Sequence, residues 1–177
     1  MTFFRQFAAA LISSLVLAAG PATAAGVVAT IYTVGVDGVI WDAGTVTLEN
    51  TPNGLLLTPD LAGLPPGEHG FHVHEKPSCN AAEQDGKMVP ALAAGGLYDP
   101  RGGNRHGAPS DNDHLGDLPP LVVLADGSVH TPVLAPRLKL EDVRQHSLVI
   151  NAGSDNHAGQ AEALGGGGAR LLCGAVW

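Results

Sequence analysis

Apolar and polar residues alternate in short stretches along most of the chain after residue 25. Asn53-Gly54 and Asp126-Gly127 are typical of tight turns between strands. Short strands at this spacing predict an all-β domain, a sandwich or barrel. The predicted strands cover residues 27–33, 39–48, 55–57, 71–74, 121–124, 131–134, 147–150 and 169–172.

Residues 76–120 break this pattern, because they show almost no sustained periodicity and are rich in Gly, Pro, Asp and Asn. A loop longer than about 15 residues in a compact domain is usually functional or disordered. This segment has Cys79 near its start and a series of His and Asp residues toward its end. No internal repeat or linker is visible, so the sequence indicates one domain.

The N-terminus has the pattern of a secretory signal peptide. Arg5 precedes a short apolar run, and the small residues Ala22-Thr23-Ala24 fit a cleavage site. The run is shorter than the roughly 20 residues that a membrane-spanning helix needs. We expect residues 1–24 to be a signal peptide and residues 25–177 to be the mature domain, with no membrane span after cleavage. An N-terminal core helix is the alternative.

Composition narrows the possible partners and the compartment. The net charge of −8 gives the chain no general attraction for nucleic acid or an anionic membrane. Any anion that it handles must be attracted by a local positive group. The two cysteines, Cys79 and Cys173, are an even number for an exported chain, so a single disulfide is expected.

The stretch GFHVHEKPSC, residues 70–79, holds the first candidate site. His72 and His74 are two residues apart in a predicted strand, so their side chains lie on the same face. Paired imidazoles suit copper, zinc, iron or nickel. A single histidine on a strand is more often a hydrogen-bonded core residue, but two together favour metal binding.

The end of the long middle segment holds the second candidate site. His106, His114 and Asp117 offer imidazole nitrogens and a carboxylate, which are ligands that zinc takes. Three candidates are visible where a closed structural zinc site has four. The alternative is that these residues are solvated side chains of a polar loop. His130 and His146 lie beside turns and are expected at the surface.

Five ordered motifs together resemble the bacterial, periplasmic branch of the copper–zinc superoxide dismutase family. The resemblance extends from about residue 67 to residue 174 and includes both cysteines. It implies a Greek-key β-barrel or sandwich of about eight antiparallel strands with long metal-binding loops. It also implies copper and zinc cofactors, superoxide as substrate, and a periplasmic location. The motifs are GEHGFHVHEKPSC, VPALAAGGLYDP, DNDHLGDLPPLVV, APRLK and AEALGGGGARLLCG.

The resemblance implies a role for each matching residue. His72 and His74 match two copper ligands, whereas His106, His114 and Asp117 match three of the four zinc ligands. The other matches are Asp155, a carboxylate that links His72 to His106; the disulfide between Cys79 and Cys173; and Arg170, which attracts superoxide to the copper.

Two positions depart from the family. Leu97 replaces the histidine that bridges copper and zinc, and Asn151 replaces a copper-ligating histidine. Leucine cannot bind a metal, and an amide oxygen is a poor ligand for Cu(I), which prefers softer donors. Rescue by His157 is a remote alternative. We therefore expect the dismutase reaction to be absent or severely weakened.

Three functions compete on the sequence alone. The favoured one is a periplasmic metal-binding protein that holds zinc, copper or both in incomplete sites. An enzyme with residual dismutase activity is the second, and a scaffold protein whose remaining ligands bind nothing important is the third. The oligomeric state is open, and a homodimer is one of the alternatives.

Overall fold

The computed structural model describes residues 26–102, 114–155 and 167–177. Within them the regular secondary structure is almost entirely β-strand, as the alternating pattern predicts. A 3-10 helix covers Leu92–Ala94, and one short helix, α1, covers Leu140–Val143. The strands are β1 (Val27–Gly35), β2 (Gly38–Thr51), β3 (Gly54–Leu61), β4 (Gly67–His69), β5 (Phe71–His74), β6 (Ala82–Gln84), β7 (Lys87–Val89), β8 (Leu121–Val123), β9 (Val133–Ala135), β10 (His146–Asn151) and β11 (Arg170–Val176).

Seven of these strands form one antiparallel sheet in the order β5-β10-β11-β1-β2-β3-β9. The last strand therefore lies between the first strand and β10, so strands distant in sequence are neighbours in the sheet. Two smaller sheets pair β4 with β8 and β6 with β7. This order places β5 at the edge of the main sheet, next to β10.

The core forms because apolar side chains recur at every second strand position. In β3, Leu55, Leu57 and Leu61 are buried and belong to the main hydrophobic cluster. In β5 all four residues are buried, although only Phe71 and Val73 belong to that cluster. The opposite face of β5 is therefore covered by other parts of the chain, and that face carries the two histidines.

The middle segment contains more structure than its sequence pattern indicates. Strands β6 and β7 form a small hairpin around Asp85 and Gly86, both of which have positive φ angles. Together with β4, these strands bring the number in the described residues to eleven, against about eight predicted. Each of the three additional strands is only three residues long, and β6 and β7 lie in the segment that shows almost no periodicity.

The predicted disulfide between Cys79 and Cys173 is confirmed, with the two Cα atoms 5.6 Å apart. It joins the start of the middle segment to β11 across 94 residues of sequence. In the part of the chain that the structure describes, no helix is long and apolar enough to cross a membrane. The predicted signal peptide, residues 1–24, lies outside the described residues.

Candidate metal centre

Strand β5 places His72 and His74 on one face, as the two-residue spacing predicts. Loop segments continue the sheet beyond β5, since His72 forms an isolated β-bridge with Asp117 and His74 forms one with Leu97. The two histidines are 0% and 1% exposed. Their ring centroids are 6.4 Å apart and the rings are nearly perpendicular, at 84°. The two imidazoles therefore face different neighbours.

Both ring nitrogens of His72 face oxygen atoms. Nε2 lies 2.8 Å from Oδ2 of Asp155, and Nδ1 lies 3.1 Å from Oδ1 of Asn151. The amide nitrogen of Asn151 donates to the carbonyl oxygen of Gly168 at 2.9 Å. That bond fixes the orientation of the amide, so its oxygen points at His72 and accepts a hydrogen bond from Nδ1. The expected contact between Asp155 and His72 is thus present.

His74 has one satisfied and one unsatisfied ring nitrogen. Its Nδ1–H donates to the carbonyl oxygen of Gly95 at 3.0 Å. Its Nε2 is buried and has no hydrogen-bond partner among the residues that the structure describes. Burial, aided by the positive charge of Arg170, lowers the pKa of His74 from 6.5 to about 3. The ring is neutral at ordinary pH, and the lone pair of Nε2 is suited to bind a metal.

Arg170, at the start of β11, contacts the same loop residue, Gly95, that His74 contacts. Its guanidinium donates from Nη1 to the carbonyl oxygen of Ala91 at 2.7 Å and from Nη2 to that of Gly95 at 2.9 Å. Arg170 is 5% exposed, and burial lowers the pKa of its guanidinium. The predicted local positive charge therefore lies beside His74, with most of its surface away from solvent.

Two of the three predicted zinc ligands, His114 and Asp117, lie in the described part of the chain, and both are buried. Arg137 donates to the backbone carbonyl oxygen of His114 at 2.7 Å, which holds this segment against the strand barrel. Oδ2 of Asp99 is 3.9 Å from Nε2 of His114. His106, the third predicted zinc ligand, lies outside the described residues, as does His157.

The two halves of the candidate centre meet at His72. Potential ligand atoms of His72, Asp117 and Asp155 all lie within 4.8 Å of one another, and all three residues are buried. A carboxylate next to an imidazole in this way fixes the ring orientation of a metal ligand. The predicted link from Asp155 to His106 involves a residue outside the described ranges and stays a prediction.

The remaining histidines have structural contacts. Buried His69 holds the end of its strand, with Nδ1 2.6 Å from the carbonyl oxygen of Asn151 and Nε2 2.8 Å from that of Pro65. His130 is exposed, as expected. His146 is only partly exposed, because its ring lies 4.2 Å from that of Tyr98 and its Nδ1 bonds the His74 carbonyl. His146 is thus at the surface, as expected, but part of its ring is covered.

The donor groups fit the two metals unequally. His114 and Asp117 offer the nitrogen and oxygen ligands that zinc takes, in a buried position. On the copper side, Nε2 of His74 is the one imidazole nitrogen without a hydrogen-bond partner among the described residues. Leu97 is buried beside this strand and supplies no ligand atom. The residues therefore fit zinc and do not fit a four-imidazole copper site.

Sequence reasoning missed two parts of this centre. The carbonyl oxygen of Gly95 accepts from both His74 and Arg170, and backbone acceptors leave no signal in residue type. The second is the carboxylate of Asp99 near His114. An acidic residue inside the LYDP motif is the signal that would have indicated it.

Comparisons with known proteins agree on one family. The sequence profile described as copper/zinc superoxide dismutase (SODC) matches residues 42–176. The chain is 56% identical over 137 residues to a Cu-Zn superoxide dismutase from Haemophilus parainfluenzae, covering 76% of this chain and 73% of that protein. It is 47% identical over 165 residues to the corresponding protein of Brucella abortus, covering 93% and 95% of the two chains.

The structure agrees with the sequence comparison. The solved structure of Cu/Zn superoxide dismutase from Brucella abortus superposes with a TM-score of 0.82 at 46% identity. The match covers 86% of this chain and 99% of that one. The expected Greek-key β-barrel is thereby confirmed.

Proposed function

The chain belongs to the copper/zinc superoxide dismutase family, and from that premise we propose that it is a metal-binding member with little or no dismutase activity. The family implies copper and zinc as cofactors. In this proposal zinc is held by His106, His114 and Asp117, and copper is held incompletely by His72 and His74. The physiological ligand is then a metal ion rather than superoxide.

The hydrogen bond between His72 and Asn151 is the observation that carries this proposal. Nδ1 of His72 faces the amide oxygen of Asn151 at 3.1 Å, where the family has a copper-ligating imidazole. Leu97, at the position of the bridging histidine, presents an apolar side chain. Half of the copper ligands are thus replaced by groups that bind copper poorly or not at all.

Copper, when bound in this family, supplies the one-electron chemistry that converts superoxide to oxygen and peroxide. The residues of this chain support only part of that task. Nε2 of His74 offers a buried lone pair, and Arg170 places a positive charge beside it. Leu97 stands where the family has the bridging histidine, so this position offers no imidazole to store a proton.

An active or residual superoxide dismutase is the second candidate, and Arg170 is the observation that favours it. Its guanidinium is positioned by two backbone carbonyl oxygens, as a group that receives an anion would be. Its 5% exposure argues against efficient capture of superoxide from solution. A superoxide assay on the metal-loaded protein separates the two candidates.

The location and partners are part of the same proposal. The signal peptide of residues 1–24 would direct the chain to the periplasm, where the disulfide between Cys79 and Cys173 is stable. Metal ions are the expected partners, and nucleic acid is not expected. A homodimer stays one of the alternatives for the oligomeric state.

Metal analysis of the mature protein tests the proposal directly. The protein is loaded with copper and zinc, dialysed and assayed for metal content and dismutase activity. We expect tightly held zinc, weakly held copper and almost no activity. The Leu97→His/Asn151→His double variant should gain tightly held copper together with activity.

The two single variants are the matched controls, since each restores one imidazole and leaves the copper set incomplete. Copper and zinc both held tightly by the wild type, with rapid dismutation, would contradict the proposal.

A further inference from the structure

Asn151 is fixed in place by four hydrogen bonds. Its backbone N–H donates to the carbonyl oxygen of Gly70 at 2.9 Å, and its own carbonyl oxygen is 2.6 Å from Nδ1 of His69. Its side-chain amide donates to the carbonyl oxygen of Gly168 at 2.9 Å and accepts from Nδ1 of His72 at 3.1 Å. The side chain is therefore satisfied on both its polar atoms without a metal.

Glycines enclose this side chain on two sides. A Cβ atom at Gly167 would lie 2.7 Å from Cβ of Asn151 and 3.1 Å from its Cγ. A Cβ atom at Gly70 would lie 3.0 Å from Cε1 of His72 and 3.6 Å from Oδ1 of Asn151. Since the backbone approaches so closely, the amide has little room to turn away from His72.

His72 has one nitrogen with which to bind copper, and Asn151 occupies it. Nε2 of His72 faces the carboxylate of Asp155 at 2.8 Å, so Nδ1 is the nitrogen that remains for a metal. The Asn151 amide oxygen lies against that atom, and the amide cannot be inverted without breaking its bond to Gly168. Copper binding at His72 must therefore first displace this amide oxygen.

From this geometry we infer that Asn151 is a competitor of copper for His72, rather than a weak fourth ligand. His74 is then the one imidazole of the copper half that is ready to bind metal. This inference rests on the proposed function only in taking the chain to be a metal-binding protein.

The two roles of Asn151 predict opposite effects of its removal. If the amide oxygen is a ligand, Asn151→Ala must weaken copper binding. If the amide competes with copper, the same change frees Nδ1 of His72 and must strengthen binding. The loss of one hydrogen bond corresponds to an affinity change of about three- to tenfold.

Cu(I) affinity, measured by competition with a chromophoric Cu(I) chelator, tests whether Asn151→Ala strengthens or weakens copper binding. The samples are the full mature protein, Asn151→Ala, and Asn80→Ala as a control that removes an exposed amide. We expect Asn151→Ala to bind Cu(I) about three- to tenfold more tightly, and Asn80→Ala to match the wild type. Unchanged or weaker binding by Asn151→Ala overturns the inference.

A second measurement uses the wild type alone, and so does not depend on the folding of a variant. Imidazole 15N resonances are followed by NMR while one equivalent of Cu(I) is added. We expect Nε2 of His74 to shift strongly and Nδ1 of His72 to stay unchanged; equal shifts of both overturn the inference. Zinc content is determined on the same sample. Failure of the proposed function would appear as an absence of bound zinc, whereas failure of this inference alone would leave zinc bound.

Discussion

At the scale of single residues, His72 and His74 differ in what surrounds them, although they are neighbours on one strand face. His72 lies between two oxygen groups, the carboxylate of Asp155 and the amide of Asn151. His74 donates to one backbone carbonyl, and its other ring nitrogen is buried and has no hydrogen-bond partner within residues 26–102, 114–155 and 167–177. Spacing in the sequence predicts the shared face, but it carries no information on these different contacts.

The buried ring of His74 makes the stability of the metal-free protein depend on pH. Burial lowers the pKa of His74 to about 3, whereas in the unfolded chain it is near 6.5. Between these values the unfolded state binds one more proton, so stability falls as pH falls. Urea unfolding at pH 6 and pH 4 should show a wild-type loss about 1.4 kcal/mol per pH unit steeper than that of His74→Gln.

The control for this prediction is His130→Gln, which replaces an exposed imidazole. Its unfolding free energy should follow pH as the wild type does. Parallel curves for wild type and His74→Gln would show that His74 is not held in its neutral form by burial.

At the scale of strands and loops, β11 ties the candidate centre to the barrel. Its first residue, Arg170, bonds the carbonyl oxygens of Ala91 and Gly95, and Cys173 forms the disulfide with Cys79. Both contacts hold the first half of the middle segment, between Cys79 and Gly95. Leu97 follows two residues later. The loop beside His74 is thus positioned by one covalent and two polar attachments to a single strand.

Removing the disulfide should destabilise the whole domain. The bond spans 94 residues of sequence. Chain-entropy arguments assign a loop of that length about 4–5 kcal/mol. The Cys79→Ala/Cys173→Ala variant should lose a large part of this free energy of unfolding in denaturant titrations. A loss below about 1 kcal/mol would show that the loop is ordered without the bond.

The contact between β11 and β1 depends on the absence of a side chain at Gly174. A Cβ atom there would lie 2.4 Å from the backbone oxygen of Thr30 and 2.5 Å from Cδ1 of Ile31. Gly174→Ala should therefore cost about 1–3 kcal/mol through overpacking, measured by thermal or urea unfolding. Gly96→Ala is the matched control, because its nearest neighbour would be 3.7 Å away. Equal stability of the two variants would refute the argument.

The sequence pattern located every strand of the main sheet and missed three short strands outside it. In β3, Leu55 and Leu57 enter the core, and the Asn53-Gly54 turn before them indicates the start of the strand. The sequence pattern did not indicate the hairpin of β6 and β7, because each strand has three residues and its charged side chains are exposed. Its turn residue Asp85 adopts a positive φ angle that residue type alone does not require.

The sequence predicts which residues are candidates for the centre, but it does not predict the hydrogen bonds that connect them. Residue type and family resemblance identify His72 and His74, and the absence of histidine at positions 97 and 151 is equally plain. The amide orientation of Asn151 depends on the carbonyl oxygen of Gly168, seventeen residues away. Such a backbone contact arises only when the ends of β10 and β11 are brought together in the fold.

At the scale of the whole molecule, metal binding and folding are expected to be coupled. His114 and Asp117 belong to a segment between β7 and β8, and Asp117 pairs with His72 of β5. A zinc ion bound by this segment would therefore join a long loop to the edge of the main sheet. Any ligand that binds the folded state alone raises its stability by mass action.

Zinc should raise the melting temperature of the metal-free protein. At a free zinc concentration one hundred times the dissociation constant, the stabilisation is about 2.7 kcal/mol. For a domain of this size that corresponds to a rise in Tm of about 5–10 °C in differential scanning calorimetry. Asp117→Asn keeps the shape of the side chain but removes its charge, and so should lose most of the rise. A full rise in Asp117→Asn would show that zinc stabilises the protein from another position, because the carboxylate of Asp117 would then contribute nothing to its binding.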